Sequence, residues 1–169
     1  MPVEVVAVRA PAEVAAAVFD AVARRDAEGI IRFTDPGIVD DFVVLGEFKG
    51  QAAVRGFFEE MFAAFPDLEI TVDRIVGDGA SAAVQWHAEA TFSGTAFQGI
   101  KATGRRVAVR GVDVMEIADG LMQHNTIYYD GAGFARQVGL LPAQGSRADR
   151  ALLAMANGTT SLKRRLRRG

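Results

Sequence analysis

The chain has 169 residues, enough for one domain with a sizeable core, and its 50% hydrophobic and 24% charged residues are the balance of an ordinary globular protein. A formal net charge of −2 gives the body of the chain no pull towards nucleic acid or an anionic membrane, and the absence of cysteine excludes a disulfide framework, a thiol nucleophile and a thiolate zinc site. Glu4 and Glu13 interrupt the first apolar residues, no basic stretch precedes them and no apolar run reaches membrane-spanning length, so the expectation is a cytoplasmic protein.

Residues 3–8 are β-prone, as an edge strand or a dimer arm. Pro11 suits the first position of a helix carrying Val14, Val18, Phe19 and Val22, and Glu13 favours its positive end. Asp26 reads as the N-cap of a second, short helix with Ile30, Ile31 and Phe33, which the run Thr34-Asp35-Pro36-Gly37 breaks. A strand is expected over 38–45. Between 51 and 65, Val54, Phe57, Phe58, Met61, Phe62 and Phe65 form a single helical stripe that Pro66 ends. Core packing against a sheet explains such a stripe, and so does the wall of a ligand cavity.

The second half reads as a meander. Residues 68–76 alternate, and Asp78-Gly79 turns them into a strand over 80–92 in which Ala82, Val84, Trp86, Ala88, Ala90 and Phe92 share a face. A Gly- and Thr-rich loop at 93–104 carries Phe97 and Ile100 and is long enough to act as a flap, unless those two side chains anchor it. Residues 106–117 place Val107, Val109, Gly111, Asp113, Met115 and Ile117 together. Asp119-Gly120 is a second hairpin signal of type I′. After it, strict alternation groups Met122, His124, Thr126, Tyr128 and Asp130. Residues 131–138 suit a short helix ending at Gly139, 142–145 a linker, and 147–157 a last helix capped by Ser146. The basic run at 162–168 reads as a solvated tail.

Several motifs fail on context. Gly77-Asp78-Gly79-Ala80-Ser81-Ala82 has the letters of a dinucleotide fingerprint but joins two strands. Asn157-Gly158-Thr159 matches a glycosylation sequon with no secretory signal to give it meaning. No serine sits in a Gly-x-Ser-x-Gly elbow. His87 and His124, the only histidines, are too scattered for a metal site, so no metal is expected.

The succession Phe65-Pro66-Asp67-Leu68, Trp86, Thr103-Gly104-Arg105, Gly111-Val112-Asp113-Val114, Asp119-Gly120, then Asp130 before Gln137-Val138-Gly139 and Pro142, resembles the SnoaL-like polyketide (ester) cyclases of the nuclear transport factor 2-like superfamily. The resemblance spans roughly residues 14–142. It implies an α+β fold: a cone-shaped, curved, mostly antiparallel sheet closed by N-terminal helices around a hydrophobic pocket. The expected organisation is a domain over 1–142 and a C-terminal helical extension over 143–169. It implies cofactor-independent acid/base chemistry, such as aldol closure of a polyketide ester, with the acidic residue that ends the last strand matching Asp130. The chain departs from the pattern where relatives have Gly-Thr-His and it has Ala90-Thr91-Phe92, and where they read Glu-x-Trp and it has His124-Asn125-Thr126.

The expected site is a pair of carboxylates, Asp113 and Asp130, in a hollow lined by Trp86, Phe92, Tyr128, Met115, Phe58 and Phe62. Burial and mutual repulsion would separate their titrations into one acid and one base. His124 is the alternative base. Each has a bland reading beside the chemical one: Asp130 as an N-cap, Asp113 as the partner of an arginine, His124 as a core histidine. The ligand expected is a small hydrophobic carbonyl compound, and the alternatives are a non-catalytic binder of an apolar metabolite, a hydrolase of the same fold, or an assembly module using the basic tail. Val112, Val114, Ile127 and Tyr129 fall on the opposite face and are apolar, which predicts a homodimer through the outer sheet face, with the C-terminal helix as the rival cover.

Overall fold

The alternating runs of the second half form three consecutive antiparallel pairings. The computed structural model describes residues 9–166, with side chains as far as Gly158; the strand expected at 3–8 lies outside them, as do the side chains of the basic run. β3 (Glu69–Gly77) pairs with β4 (Ser81–Thr91), β4 with β5 (Arg106–Ala118), and β5 with β6 (Leu121–Tyr129). Asp119 and Gly120 both take positive φ, 53° and 76°, as a type I′ turn requires. The Asp78-Gly79 connection is different: neither residue has positive φ, and the Asp78 carboxylate instead accepts from the amides of Ala80 and Ser81.

β1 (Thr34–Phe42) runs parallel to β6 and antiparallel to the four-residue β2 (Gly46–Lys49), giving the order β2-β1-β6-β5-β4-β3. That order corrects the expected cone. The sheet is open and mixed, with β2 and β3 as its two unpaired edges, and it does not close on itself. A short β2 offers too little ladder to meet β3, and helices cover the inner face instead. α1 (Pro11–Ala23) lies against β3, β4 and β5, and α3 (Gln51–Ala64) against β1 and β2.

The helices start where capping chemistry places them. Pro11 occupies the first turn of α1, and the Glu13 carboxylate reaches back to the Ala10 amide at 3.0 Å. Asp26 caps α2 (Ala27–Ile31) by accepting from Gly29 N at 2.8 Å, and Asp130 caps α4 (Gly131–Val138) through Gly133 N at 2.8 Å. Gly139 ends α4 in the left-handed conformation. α5 runs over Arg147–Leu166, beyond the stop expected at 157, and its Leu152, Leu153 and Met155 are exposed.

Two tethers complete the inner layer. The loop after β4 is anchored to the end of α3: Gly94 N and Thr95 N donate to Ala64 O and Ala63 O, and Gln98 bonds Glu60 through both its backbone and side-chain nitrogens. Phe97 is buried beneath it, in edge contact with Phe65. β6 ends before it can pair with the start of β5, and the Gln137 amide takes over, accepting from Ala108 N at 2.6 Å and donating to Ala108 O at 3.0 Å.

Candidate active site

Between the helices and the inner sheet face lies a cavity of about 150 Å³ whose lining is almost wholly apolar. α1 contributes Val18, Phe19 and Val22; α3 contributes Phe57, Phe58 and Met61; Phe97 and Phe134 come from the anchored loop and α4. Besides Glu89 and Tyr129, the polar exceptions meet on the sheet. Asp40 of β1, Asn125 of β6, and Trp86 and Asp113 of β4 and β5 form one buried chain of hydrogen bonds.

Its geometry follows from register and parity. β4 and β5 alternate as the sequence suggests, so Trp86 and Asp113 face inward. Trp86 stands opposite Gly111, where a Cβ would lie 2.4 Å from the indole Cζ2. Glycine thus lets the ring lie across β5, and its Nε1 donates to Asp113 Oδ1 at 2.7 Å. Asn125 Nδ2 donates to Asp113 Oδ2 and to Asp40 Oδ1, each at 2.9 Å. Asp40 reaches the same spot because Ile38, Asp40 and Phe42 all turn inward from β1.

Both carboxyls are pushed up, Asp40 to about 7 and Asp113 to about 6. For Asp40 the main cause is burial, then repulsion by Asp113, with the Asn125 amide pulling the other way. For Asp113 burial again dominates, offset by the donors Asn125 and Trp86. The hydrogen-bond inventory points in the same direction. Two carboxylates and the Asn125 carbonyl supply five oxygens, while the amide and indole supply three N–H hydrogens, and Asn125 Oδ1 is buried without a donor. Asp113 has both oxygens occupied, whereas Asp40 uses only Oδ1 and leaves Oδ2 for the cavity.

Asp130, His124 and Tyr128 stand elsewhere. A register shift between Glu116 and Ile117 puts an irregularity early in β6, so Met122 faces inward but Asn125, Ile127 and Tyr129 follow it. The expected face of Met122, His124, Thr126, Tyr128 and Asp130 is therefore split, and Ile127 and Tyr129 are inside rather than outside. Tyr128 is 52% exposed on the outer face, and His124, half-buried, lies further back along the same face. Asp130 is exposed at the start of α4, so Asp113 and Asp130 do not share the hollow. Trp86 and Phe58 line the cavity. Phe92 and Met115 are buried behind it, Phe92 stacked on Phe65 with centroids 5.0 Å apart, and Phe62 packs on Phe58.

Asp40 and Asn125 are absent from the sequence-derived site. An Asp flanked at i±2 by Ile38 and Phe42 is a legible signal for Asp40. For Asn125 the signal is the odd spacing between Met122 and Ile127, which alternation cannot carry without a bulge. Among the described residues no cluster of three or more His, Asp or Glu side chains is placed to hold a metal ion, and no helix is long and apolar enough to cross a membrane.

The family model for SnoaL-like polyketide cyclase matches residues 12–138. Among solved structures, a provisionally assigned SnoaL-like polyketide cyclase from Jannaschia sp. CCS1 is 22% identical over 77% of this chain and 92% of its own, with a TM-score of 0.69. AclR from Streptomyces galilaeus, a provisionally assigned hydroxylase, is 25% identical over 90% of this chain and 94% of its own, at 0.68. A SnoaL-like polyketide cyclase from Agrobacterium tumefaciens is 19% identical over 78% and 99%, at 0.64. A comparison with proteins of curated function finds no match. With its sheet order, its inner cavity and a family match over most of its length, the chain belongs to the SnoaL-like polyketide cyclase family of the nuclear transport factor 2-like superfamily.

Proposed function

We propose that the chain is a cofactor-independent acid/base enzyme, a cyclase or isomerase, acting on a small hydrophobic carbonyl compound. The observation that carries this reading is the buried Asp40–Asn125–Asp113 chain at the wall of a largely apolar cavity. Asp40, raised to about 7, is close to half-ionised at neutral pH, where a single group both takes and returns a proton most effectively. As carboxylate, its free Oδ2 removes a proton from the carbon next to the substrate carbonyl, leaving an enolate and a neutral carboxyl. The enolate then either attacks a second carbonyl of the same molecule, closing a ring whose new alkoxide oxygen takes the proton back from Asp40, or recovers that proton from Asp40 at another carbon. Asp113 keeps its charge beside Asp40, and Asn125 holds the two carboxyls in place.

Proton exchange tests the step without the natural substrate. In D₂O the protein is expected to exchange the α-hydrogens of 2-tetralone, followed by NMR, and Asp40→Asn to slow this by about 100-fold or more, a typical contribution for general acid–base catalysis. An Asp40→Asn protein that exchanges as fast as the parent refutes the assignment. The binding-protein reading draws on the apolar lining alone. It predicts that 2-tetralone quenches Trp86, the only tryptophan, equally in the parent and in Asp40→Asn, with no exchange in either.

A further inference from the structure

Removing a proton beside a carbonyl puts negative charge on the carbonyl oxygen, and the Asp40–Asn125–Asp113 chain has no N–H left to meet it. Among the residues lining the cavity, Trp86, Asn125 and Tyr129 carry the side-chain N–H and O–H groups that do not depend on a carboxyl being protonated. Trp86 Nε1 is spent on Asp113, and Asn125 Nδ2 on Asp113 and Asp40. Glu89 only accepts, and Arg106 donates to its carboxylate at 2.9 Å. The Tyr129 hydroxyl is left, and it enters no hydrogen bond with any described residue.

The fold sets this hydroxyl apart from Asp40 but in the same cavity. The irregularity early in β6 turns Tyr129 inward with Asn125 and Ile127, and Phe134 of α4 meets its ring edge-on, with centroids 6.3 Å apart. Asp40 is in register with Asn125, four residues back along β6 from Tyr129. At about 3.3 Å per residue the two backbones stand roughly 13 Å apart. Both side chains line the cavity and so close part of that span from either end. The Trp86 indole, which sits in the row of Gly111 and Tyr129 but bonds Asp113 two residues further on, lies along what remains. Burial raises the Tyr129 hydroxyl above the usual tyrosine range, so at neutral pH it donates a hydrogen bond without giving up its proton.

We propose that the Tyr129 hydroxyl is the hydrogen-bond donor to the oxygen of a ligand in this cavity, and so a catalytic residue that stabilises the enolate formed by Asp40. The catalytic half rests on the acid/base reading above. As the C–H bond breaks, its electron pair becomes the carbon–carbon double bond of the enolate and the carbonyl π pair moves to oxygen. The proton goes to Asp40 Oδ2, and Tyr129 keeps its own. A hydrogen bond to the charged enolate oxygen is stronger than one to the neutral ketone, and that difference is what accelerates the step.

Tyr129→Phe removes the donor and keeps the ring, and circular dichroism establishes that it is folded. In 2-tetralone exchange the variant is expected to lose about 100-fold in rate at saturating ketone with KM little changed. A folded variant that exchanges at the parental rate overturns the proposal and leaves Asp40 as the base. Binding of 2-naphthol, a flat analogue of the 2-tetralone enol, reads the contact without turnover. By equilibrium dialysis Tyr129→Phe is expected to bind 2-naphthol about tenfold more weakly than the parent and to bind naphthalene equally well. Equal affinities of variant and parent for 2-naphthol overturn the proposal. A parent that exchanges no α-hydrogen yet shows the tenfold difference sinks the acid/base reading and upholds Tyr129 as the donor to a bound oxygen. Tyr128 and Tyr129 are the only tyrosines, so a ¹³Cζ label gives two signals, and Tyr128→Phe removes the exposed one. With position 129 unaltered, 2-naphthol is expected to move the remaining signal; a signal that stays put overturns the contact.

Discussion

Replacing Asp40 with Asn puts a number on the buried carboxyl pair. A carboxyl raised in the folded state holds its proton more tightly there than in the unfolded chain, so its contribution is fully present below the unfolded value, near 4, and is lost as pH rises through the folded value. For Asp40, with a folded value of about 7, the loss between pH 5 and pH 8 is about 3 kcal/mol; for Asp113, at about 6, it is about 1 kcal/mol. The parent should therefore lose about 4 kcal/mol of unfolding free energy across that window, and Asp40→Asn only about 1 kcal/mol. Asparagine keeps the acceptor for Asn125 Nδ2 and adds an N–H in a cluster short of donors, so the variant should match the parent at pH 5 and exceed it at pH 8. Urea unfolding followed by Trp86 fluorescence at the two pH values reads the difference. Parallel pH profiles for parent and variant would refute the reasoning, because Asp40 would then ionise in the fold as it does in water.

Gly111→Ala is expected to displace the Trp86 indole and break its bond to Asp113, costing about 1–3 kcal/mol by urea unfolding and shifting the tryptophan emission. Unchanged emission would show that the ring does not lie where the structure puts it. Asp130→Ala should cost about 1 kcal/mol through loss of the α4 cap, and leave 2-tetralone exchange at the parental rate. A hundredfold fall in exchange with this variant would return the chemistry to the end of β6.

Most of the fold was legible because local chemistry and burial agree. Pro11 and Asp26 mark helix starts, Gly139 a helix end, Asp119-Gly120 a tight turn, and the two-residue period of β4 and β5 survives intact into the structure. The expected closure was not legible. It came from the family resemblance, whereas the edges depend on the length of β2 and on helices taking the inner face. In the site, Trp86 and Asp113 lie on strands whose alternation is unbroken, so their direction follows from counting. Asn125 escapes counting because one irregularity early in β6 reverses the parity of every later residue. Asp40 is different: its inward direction could be counted from Ile38 and Phe42, but that it meets Asn125 depends on the parallel pairing of β1 with β6, a contact 85 residues apart in sequence.

The most direct measurement is the pH titration of the aspartate side-chain carboxyls by ¹³C NMR, with Asp40→Asn and Asp113→Asn to assign the two signals. Two carboxyl resonances titrating near neutrality, around 6 and 7, with each variant removing one and moving the other, is the predicted result. Every aspartate titrating below about pH 5, as in water, would contradict it and leave the cavity without its acid and base.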